Sequence, residues 1–379
     1  MTTVIPDTII SDLPIDAWME ILNNVVTSQK AALFACSCRA AALAYTRSKW
    51  PRVVRISRSR IVREPSTGLF DVTVTPGMNV QAAVNSCPRG GCVLLLAGMH
   101  EGPLVLTADM NVHIFGRGEA TLWYATGDVI SSNATTSTLD GVIILSNSME
   151  YDHIGIRIHG GCLRLQFCNV TSKEYECIFI CDGANPSIVA CIIRGDKHYS
   201  GIRISGVNTR GTLNMCNISA GAVTIKDGAN PTLTSCTIVD GCEVGVFIID
   251  PGTTGFLEFC EISRNGGTGI IVGRGANPLL KSCVIHNNSS SGVMFDDNNT
   301  TGTMMNCEVY NNAVPSNDGV YIRDSSKPTI VGCNFHDNEI GVFIDYGAIV
   351  DDAAISLNCV FARNTKGNIV RRAPRVYYY

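Results

Sequence analysis

The chain has 379 residues, of which 45% are hydrophobic and only 16% charged, with 36 glycines. That composition supports a large core and excludes a disordered chain. No apolar run approaches the roughly 18 residues of a membrane-spanning helix, which excludes one. The formal net charge of −4 conceals an uneven distribution. Arg47, Lys49, Arg52, Arg55, Arg58, Arg60 and Arg63 follow one another with no acid between them, and Lys366, Arg371, Arg372 and Arg375 form a second basic end. From Glu64 to Thr365 there are 16 basic and 29 acidic residues. This acidic body either favours basic partners at long range or keeps a long surface soluble. Residues 1–24 lack a basic leader region and are interrupted by Asp7, Asp12, Asp16 and Glu20. No secretory leader is expected from that pattern, so the 17 cysteines are expected as reduced thiols in the cytoplasm or nucleus. Sequons, among them Asn133, Asn169, Asn217, Asn288 and Asn299, read as chance in an Asn- and Thr-rich chain.

Residues 1–50 form a first module, helical in pattern from residue 11 to 50. Asp12 can cap a helix, and Pro14 suits its first turn. Trp18, Ile21, Leu22 and Val25 then fall on one helical face. A second stretch, 29–45, is Ala-rich with Leu33, Phe34, Cys38 and Leu43. Some forty residues of helix bury little apolar surface alone, so this module is expected to grip a partner or to pack on the next domain. Residues 51–75 read as a basic linker. It has no interleaved aromatics, which favours a tether over a nucleic-acid site.

The next elements form a lead-in. Val80, Ala83 and Val84 have the spacing of a short helix, 88–92 is a turn, and Val93–Leu96 is a buried strand. An open end of stacked coils exposes unpaired backbone, so a cap belongs here.

A repeat then runs to the C-terminus. Cys-x-[Ile/Val/Phe] begins at Cys168, Cys191, Cys216, Cys236, Cys260, Cys283, Cys307, Cys333 and Cys359. The mean step is about 24 residues. Gly-[Ile/Val]-x-[Ile/Phe/Val] recurs between them at Gly155, Gly201, Gly245, Gly269, Gly292, Gly319 and Gly341. Ala-Asn-Pro at 184, 229 and 276, with Ser-Lys-Pro at 326, marks every second unit. The units between carry Gly211, Gly255 or Gly302 instead. Each unit alternates apolar and polar residues briefly and then breaks at Gly, Asn or Pro, which is the strand signal. Leucine-rich and helical repeats are excluded by their missing patterns. A mainly β, single-stranded parallel β-helix of about 24 residues per coil remains, over residues 76–370.

In that fold the nine cysteines form one internal stack. A linear row does not converge on a point, so it is read as structural and not as a metal site. Residues 371–379 form a tail whose Tyr377, Tyr378 and Tyr379 are candidates to cover the last coil.

Two resemblances add to this. The short helix, strand and Gly98-Met99-His100-Glu101 resemble the first coil of pectin-lyase-like right-handed β-helices. Leu13-Pro14-Ile15-Asp16, Glu20-Ile21-Leu22, Leu33, Cys36-Ser37-Cys38-Arg39 and Lys49-Trp50 look like an F-box, with Ala40 or Ala41 where that family has an aromatic. The pairing is similar to F-box-only proteins with carbohydrate-binding-and-hydrolase-type repeats, including those of large DNA viruses. The resemblance implies that Leu13, Pro14, Ile21, Leu22, Leu33, Cys38 and Trp50 dock a Skp-type adaptor and through it a cullin-RING ligase. The rod would then recognise a protein substrate, one with a basic patch suiting its charge. The expected role is substrate receptor of an SCF-type ubiquitin ligase, with no catalytic residues, metal or cofactor of its own, and no membrane or nucleic-acid partner.

The first alternative is a polysaccharide-acting lyase or hydrolase of the same fold. Hydrolysis needs paired carboxylates, and lyase chemistry needs a basic proton acceptor. Asp296-Asp297, His159 and Arg203 are the candidates. The second alternative is a non-catalytic interaction solenoid. Arg157 and Arg203, in equivalent Ile-Arg-Ile strands, are expected to bind an acidic group on a substrate if they face outward.

Overall fold

The computed structural model describes residues 70–146, 153–173, 175–195, 200–312 and 318–372. The F-box-like positions Leu13, Pro14, Ile21, Leu22, Leu33, Cys38 and Trp50, the stretch from Arg47 to Arg63 and the tail tyrosines lie outside these residues. The chain divides into two units, Met1–Leu69 and Phe70–Tyr379.

The second unit is a stack of coils. Its strands form three parallel sheets of twelve strands each. Sheet A runs from Val72–Val74 to Thr329–Val331, sheet B from Gly98–Glu101 to Val360–Ala362, and sheet C from Leu104–Leu106 to Gly367–Arg371. Each full coil gives one strand to each sheet. At the usual strand spacing, twelve coils rise about 55 Å. The rod begins slightly earlier than the sequence suggests. Val72–Val74 pairs in register with Val93–Leu95, so the end of the 51–75 linker is already sheet.

Period-two alternation turns every second side chain inward. Leu213, Leu233, Leu257 and Leu280 stack in sheet A, and Ile193, Ile218, Ile238 and Ile262 stack in sheet B. All are buried. The cysteine stack stands at the corner between these two sheets. Cys283 and Cys307 donate from Sγ to the carbonyls of Leu257 and Leu280, each at 3.4 Å. The thiol of the preceding coil, and then burial, hold these groups protonated. Contact with Cys283, aided by burial, pushes Cys307 up to about 12.

The corner between sheets C and A explains the doubled period. Pro278 of one coil lies beneath Gly302 of the next. A Cβ on Gly302 would stand 3.2 Å from the proline Cδ, and its φ of +130° is a conformation that L side chains rarely adopt. Alternate coils also supply a buried threonine. Thr209, Thr253 and Thr300 accept the backbone N–H of Gly183, Gly228 and Gly275 at 3.0, 2.8 and 2.9 Å.

Short helices close both ends. Helix α1, Val80–Ser86, is capped by Asn79, whose side chain accepts from Ala82 N–H, and it buries Val80, Ala83 and Val84. The Gln81 amide bonds both backbone groups of Val105, at 2.6 and 3.1 Å. A side chain thus satisfies the first strand of sheet C, which would otherwise be an open edge. Helix α2, Asp352–Asn358, stands where the next strand of sheet A would be and buries Ile355. Helix α2 thus covers the end of sheet A, and the tail tyrosines expected over the last coil lie outside the described residues.

Candidate functional site

Arg157, Phe179 and Arg203 occupy one outward column of sheet C, on successive coils. The Phe179 ring lies between the two guanidinium groups, with Cζ of Arg203 4.1 Å and Cζ of Arg157 5.5 Å from its centroid. Arginine favours such a position because its planar cation stacks on an aromatic face. Each arginine also meets a carboxylate. Arg157 Nε donates to Asp128 at 2.5 Å, and Asp128 accepts from Ile154 N–H at 2.8 Å. Arg203 Nη1 is 3.1 Å from Glu176, which is buried. Arg203 Nε is itself buried with no hydrogen-bond partner. Stacking on Phe179 and the ion pair with Glu176 together orient this guanidinium.

A groove of about 620 Å³ opens beside this column, bounded by Asp128, Ser131, His159, Cys181, Asp182 and Gly206. Small residues on neighbouring coils leave the space. His159 Nε2 stands 3.1 Å from Ser131 Oγ across one coil. Burial, and a 3.3 Å hydrogen bond to Asp182, push the Cys181 thiol up to about 11, so it is not a ready nucleophile. The arrangement can hold an anion beside the Arg157 guanidinium, with that of Arg203 further along the column, and offers the His159 imidazole as a proton acceptor or donor.

The structure thus brings Arg157 and His159 together in the groove, sets Arg203 two coils further along the same column, and excludes the other candidate pair from the site. Asp296 directly follows the sheet C strand Val293–Phe295, six coils beyond His159. It is clasped by Arg323 at 2.6 and 2.7 Å. Burial works against ionisation of Asp296, but the Arg323 hydrogen bond and charge outweigh it and lower its pKa. A carboxyl held in this way is not a proton donor. Asp128, Ser131, Phe179 and Glu176 were not expected from sequence. Their signal was the register itself, since the first three stand one coil from a residue already singled out.

Among the described residues, no group of three or more His, Cys, Asp or Glu side chains is placed to hold a metal ion, and no helix is long and apolar enough to cross a membrane.

Residues 221–373 match the family model described as "Right handed beta helix region". The rod is a right-handed parallel β-helix. The match does not extend to the F-box-like segment. No curated protein matches the chain in sequence. Solved structures of similar fold include the catalytic unit of a thermostable α-1,3-glucanase from Streptomyces thermodiastaticus. It is 12% identical, with a TM-score of 0.53, over 78% of this chain and 66% of that one. The A-module of an Azotobacter vinelandii mannuronan C-5 epimerase is 13% identical, with a TM-score of 0.45, over 80% and 98%. Pectate lyase Pel9A is 12% identical, with a TM-score of 0.45, over 69% and 77%. At these identities the likeness of the β-helix to these proteins is one of fold.

Proposed function

We propose that the β-helix binds an acidic polysaccharide in the sheet C groove. The observation that carries this is the Arg157–Phe179–Arg203 sandwich, which fixes two cations two coils apart along the rod. That separation is about 9.6 Å at the usual strand spacing. Successive acidic sugars present their carboxylates at regular intervals along a chain, and prepaid ordering of the two guanidiniums lowers the entropic cost of meeting them. Asp128 and Glu176 each engage one arginine, and a guanidinium has five donors, so one carboxylate does not exhaust it. His159, whose Nε2 meets Ser131 Oγ at 3.1 Å on the groove wall, is the group in this reading that would accept a sugar proton if the bound chain is also cleaved. Titration calorimetry with oligogalacturonate and with a neutral glucan tests the reading, alongside the absorbance of unsaturated sugar products. Binding of the acidic chain alone, lost in Phe179→Ala combined with Arg203→Gln, supports it. Equal binding of both sugars, or of neither, overturns it. Product formation lost in His159→Ala would assign the chemistry as well.

A second reading rests on the sequence of the first unit. Leu13-Pro14, Ile21-Leu22, Leu33, Cys38 and Trp50 resemble an F-box, and such a segment would bind a Skp-type adaptor while the rod presents a target. Co-purification with a Skp-type adaptor, lost in Leu13→Asp combined with Ile21→Asp, tests it. Absence of the adaptor from the wild-type preparation in the presence of excess adaptor removes this reading and leaves the sugar reading standing.

A further inference from the structure

The outer face of sheet C changes character beyond the groove. In the last four coils its outward column reads Met294, Tyr321, Phe343 and Val370, in register. All four side chains are partly exposed. The next outward position follows each strand and reads Asp296, Arg323, Asp345 and Arg372. Backbone bonds place them one above another, from Arg323 N–H to Phe295 O at 3.0 Å, Asp345 N–H to Ile322 O at 2.8 Å and Arg372 N–H to Ile344 O at 2.9 Å. An apolar column therefore runs beside a column of strictly alternating charge.

We propose that this face pairs with the same face of a second copy of the chain, the two rods running antiparallel. The argument is charge complementarity. A two-fold axis along the strand direction, between the coils of Arg323 and Asp345, keeps each column opposite itself and reverses its order. Asp296 then faces Arg372 of the second copy, and Arg323 faces Asp345. Read backwards, the alternating column is its own complement, which is the property an isologous interface requires. Within each rod Asp296 already meets Arg323 at 2.6 Å, and Asp345 meets Arg372 at 3.5 Å. Pairing extends these contacts into a checkerboard in which every neighbour carries the opposite sign. Met294 and Tyr321 pack against Val370 and Phe343 of the second copy, giving an apolar centre with a charged rim. Sliding one rod by a single coil, a half-coil shift of the axis, would set like charges against each other, and a two-coil slide would leave only half of the opposite pairs, so the four-coil register is the one favoured. The overlap spans four coils, about 19 Å. That is the small end of specific interfaces, and the dimer is accordingly weak and concentration-dependent.

Sedimentation velocity of the full chain tests this. The wild type is expected to shift from monomer to dimer between about 1 and about 100 µM. Asp296→Arg places like charges at both ends of the interface, and so does Arg372→Asp. Each variant alone is expected to dimerise at least about tenfold more weakly. An equimolar mixture restores every opposite pairing across the interface, and dimer should reappear at a concentration near that of the wild type. That recovery also shows that both variants are folded. Phe343→Lys should lose the dimer with no rescue by either partner. A wild type that stays monomeric throughout overturns the proposal and leaves the face to a different macromolecule. So do variants that dimerise like the wild type, or a mixture that does not recover.

Discussion

A Cβ placed on Gly269 would stand 2.8 Å from the Nδ2 of Asn288 and 2.6 Å from the carbonyl oxygen of Gly292. The glycine of the repeated Gly-[Ile/Val]-x-[Ile/Phe/Val] motif is therefore a clearance requirement. Its corner houses a buried asparagine ladder, and the next coil's backbone comes too close for any side chain. Gly269→Ala should destabilise the rod by about 1–3 kcal/mol through overpacking. The urea midpoint measures it, and an unchanged midpoint would refute the clearance argument.

The ladder itself runs through Asn265, Asn288, Asn312 and Asn338. Asn265 Nδ2 donates to Asn288 Oδ1 at 2.9 Å, Asn288 Nδ2 to Asn312 Oδ1 at 3.0 Å, and Asn312 Nδ2 to Asn338 Oδ1 at 3.3 Å. Asn288 Oδ1 also accepts the backbone N–H of Asn265 at 3.2 Å. Asn288→Ala strands these buried groups and should cost about 1–3 kcal/mol. Asn288→Asp should cost more at neutral pH, because it buries a charge. If both variants unfold at the wild-type denaturant midpoint, the ladder contributes no net stability.

Much of this architecture was legible in one sequence because coils stack in register. The Cys168 to Cys359 series is a side-chain column written along the chain, and so is the glycine series. The Val80 helix was legible from its apolar spacing. The asparagine ladder was equally periodic but was masked by an Asn-rich composition, in which Asn288 looked like a chance sequon. The groove was less legible for a different reason. Phe179 and Asp128 act through cross-coil neighbours, and no local motif joins residues separated by a whole turn. Helix α2 was missed because Asp352–Asn358 is short and buries one residue, Ile355.

The cation–aromatic sandwich gives a coupling energy. Phe179→Leu keeps an apolar side chain and removes the ring face, while Arg203→Met keeps the stem and removes the charge. A double-mutant cycle on unfolding should return about 0.5–2 kcal/mol of coupling. The same cycle between Phe179→Leu and Lys281→Met, far along the rod, should return none. A coupling of zero at Arg203 would reduce the sandwich to chance proximity.

The thiol stack should be chemically silent. A water-soluble disulfide reagent is expected to label Cys162 and Cys242 rapidly, since both are exposed, and the buried stack only on unfolding. Contact with the adjacent thiol, and burial, push Cys307 and Cys333 up to about 12. Both are protonated in the fold where the unfolded chain is ionised. Their contribution to stability is complete below the ordinary thiol value of 9.0 and is lost as pH rises toward about 12. Denaturant midpoints taken across that alkaline range should fall, and Cys307→Ala combined with Cys333→Ala should flatten the fall.

Asp318 makes the same linkage visible at physiological pH. It opens the strand Asp318–Ile322 and is 7% exposed. Burial, and then the nearby Glu339 charge, push its carboxyl up to about 7 from an ordinary 3.8. The folded state therefore holds a proton that the unfolded chain has released. The sign follows from that difference. The stabilising share of Asp318 is complete below about pH 4 and is lost as pH rises through about 7, above which a buried charge remains. Asp318→Asn removes the charge and keeps the shape. Its melting temperature should exceed that of the wild type by several degrees at pH 8, and the two should converge near pH 4. A difference of the same size at both pH values would mean that the substitution acts through packing, and the carboxyl would not be the group that titrates.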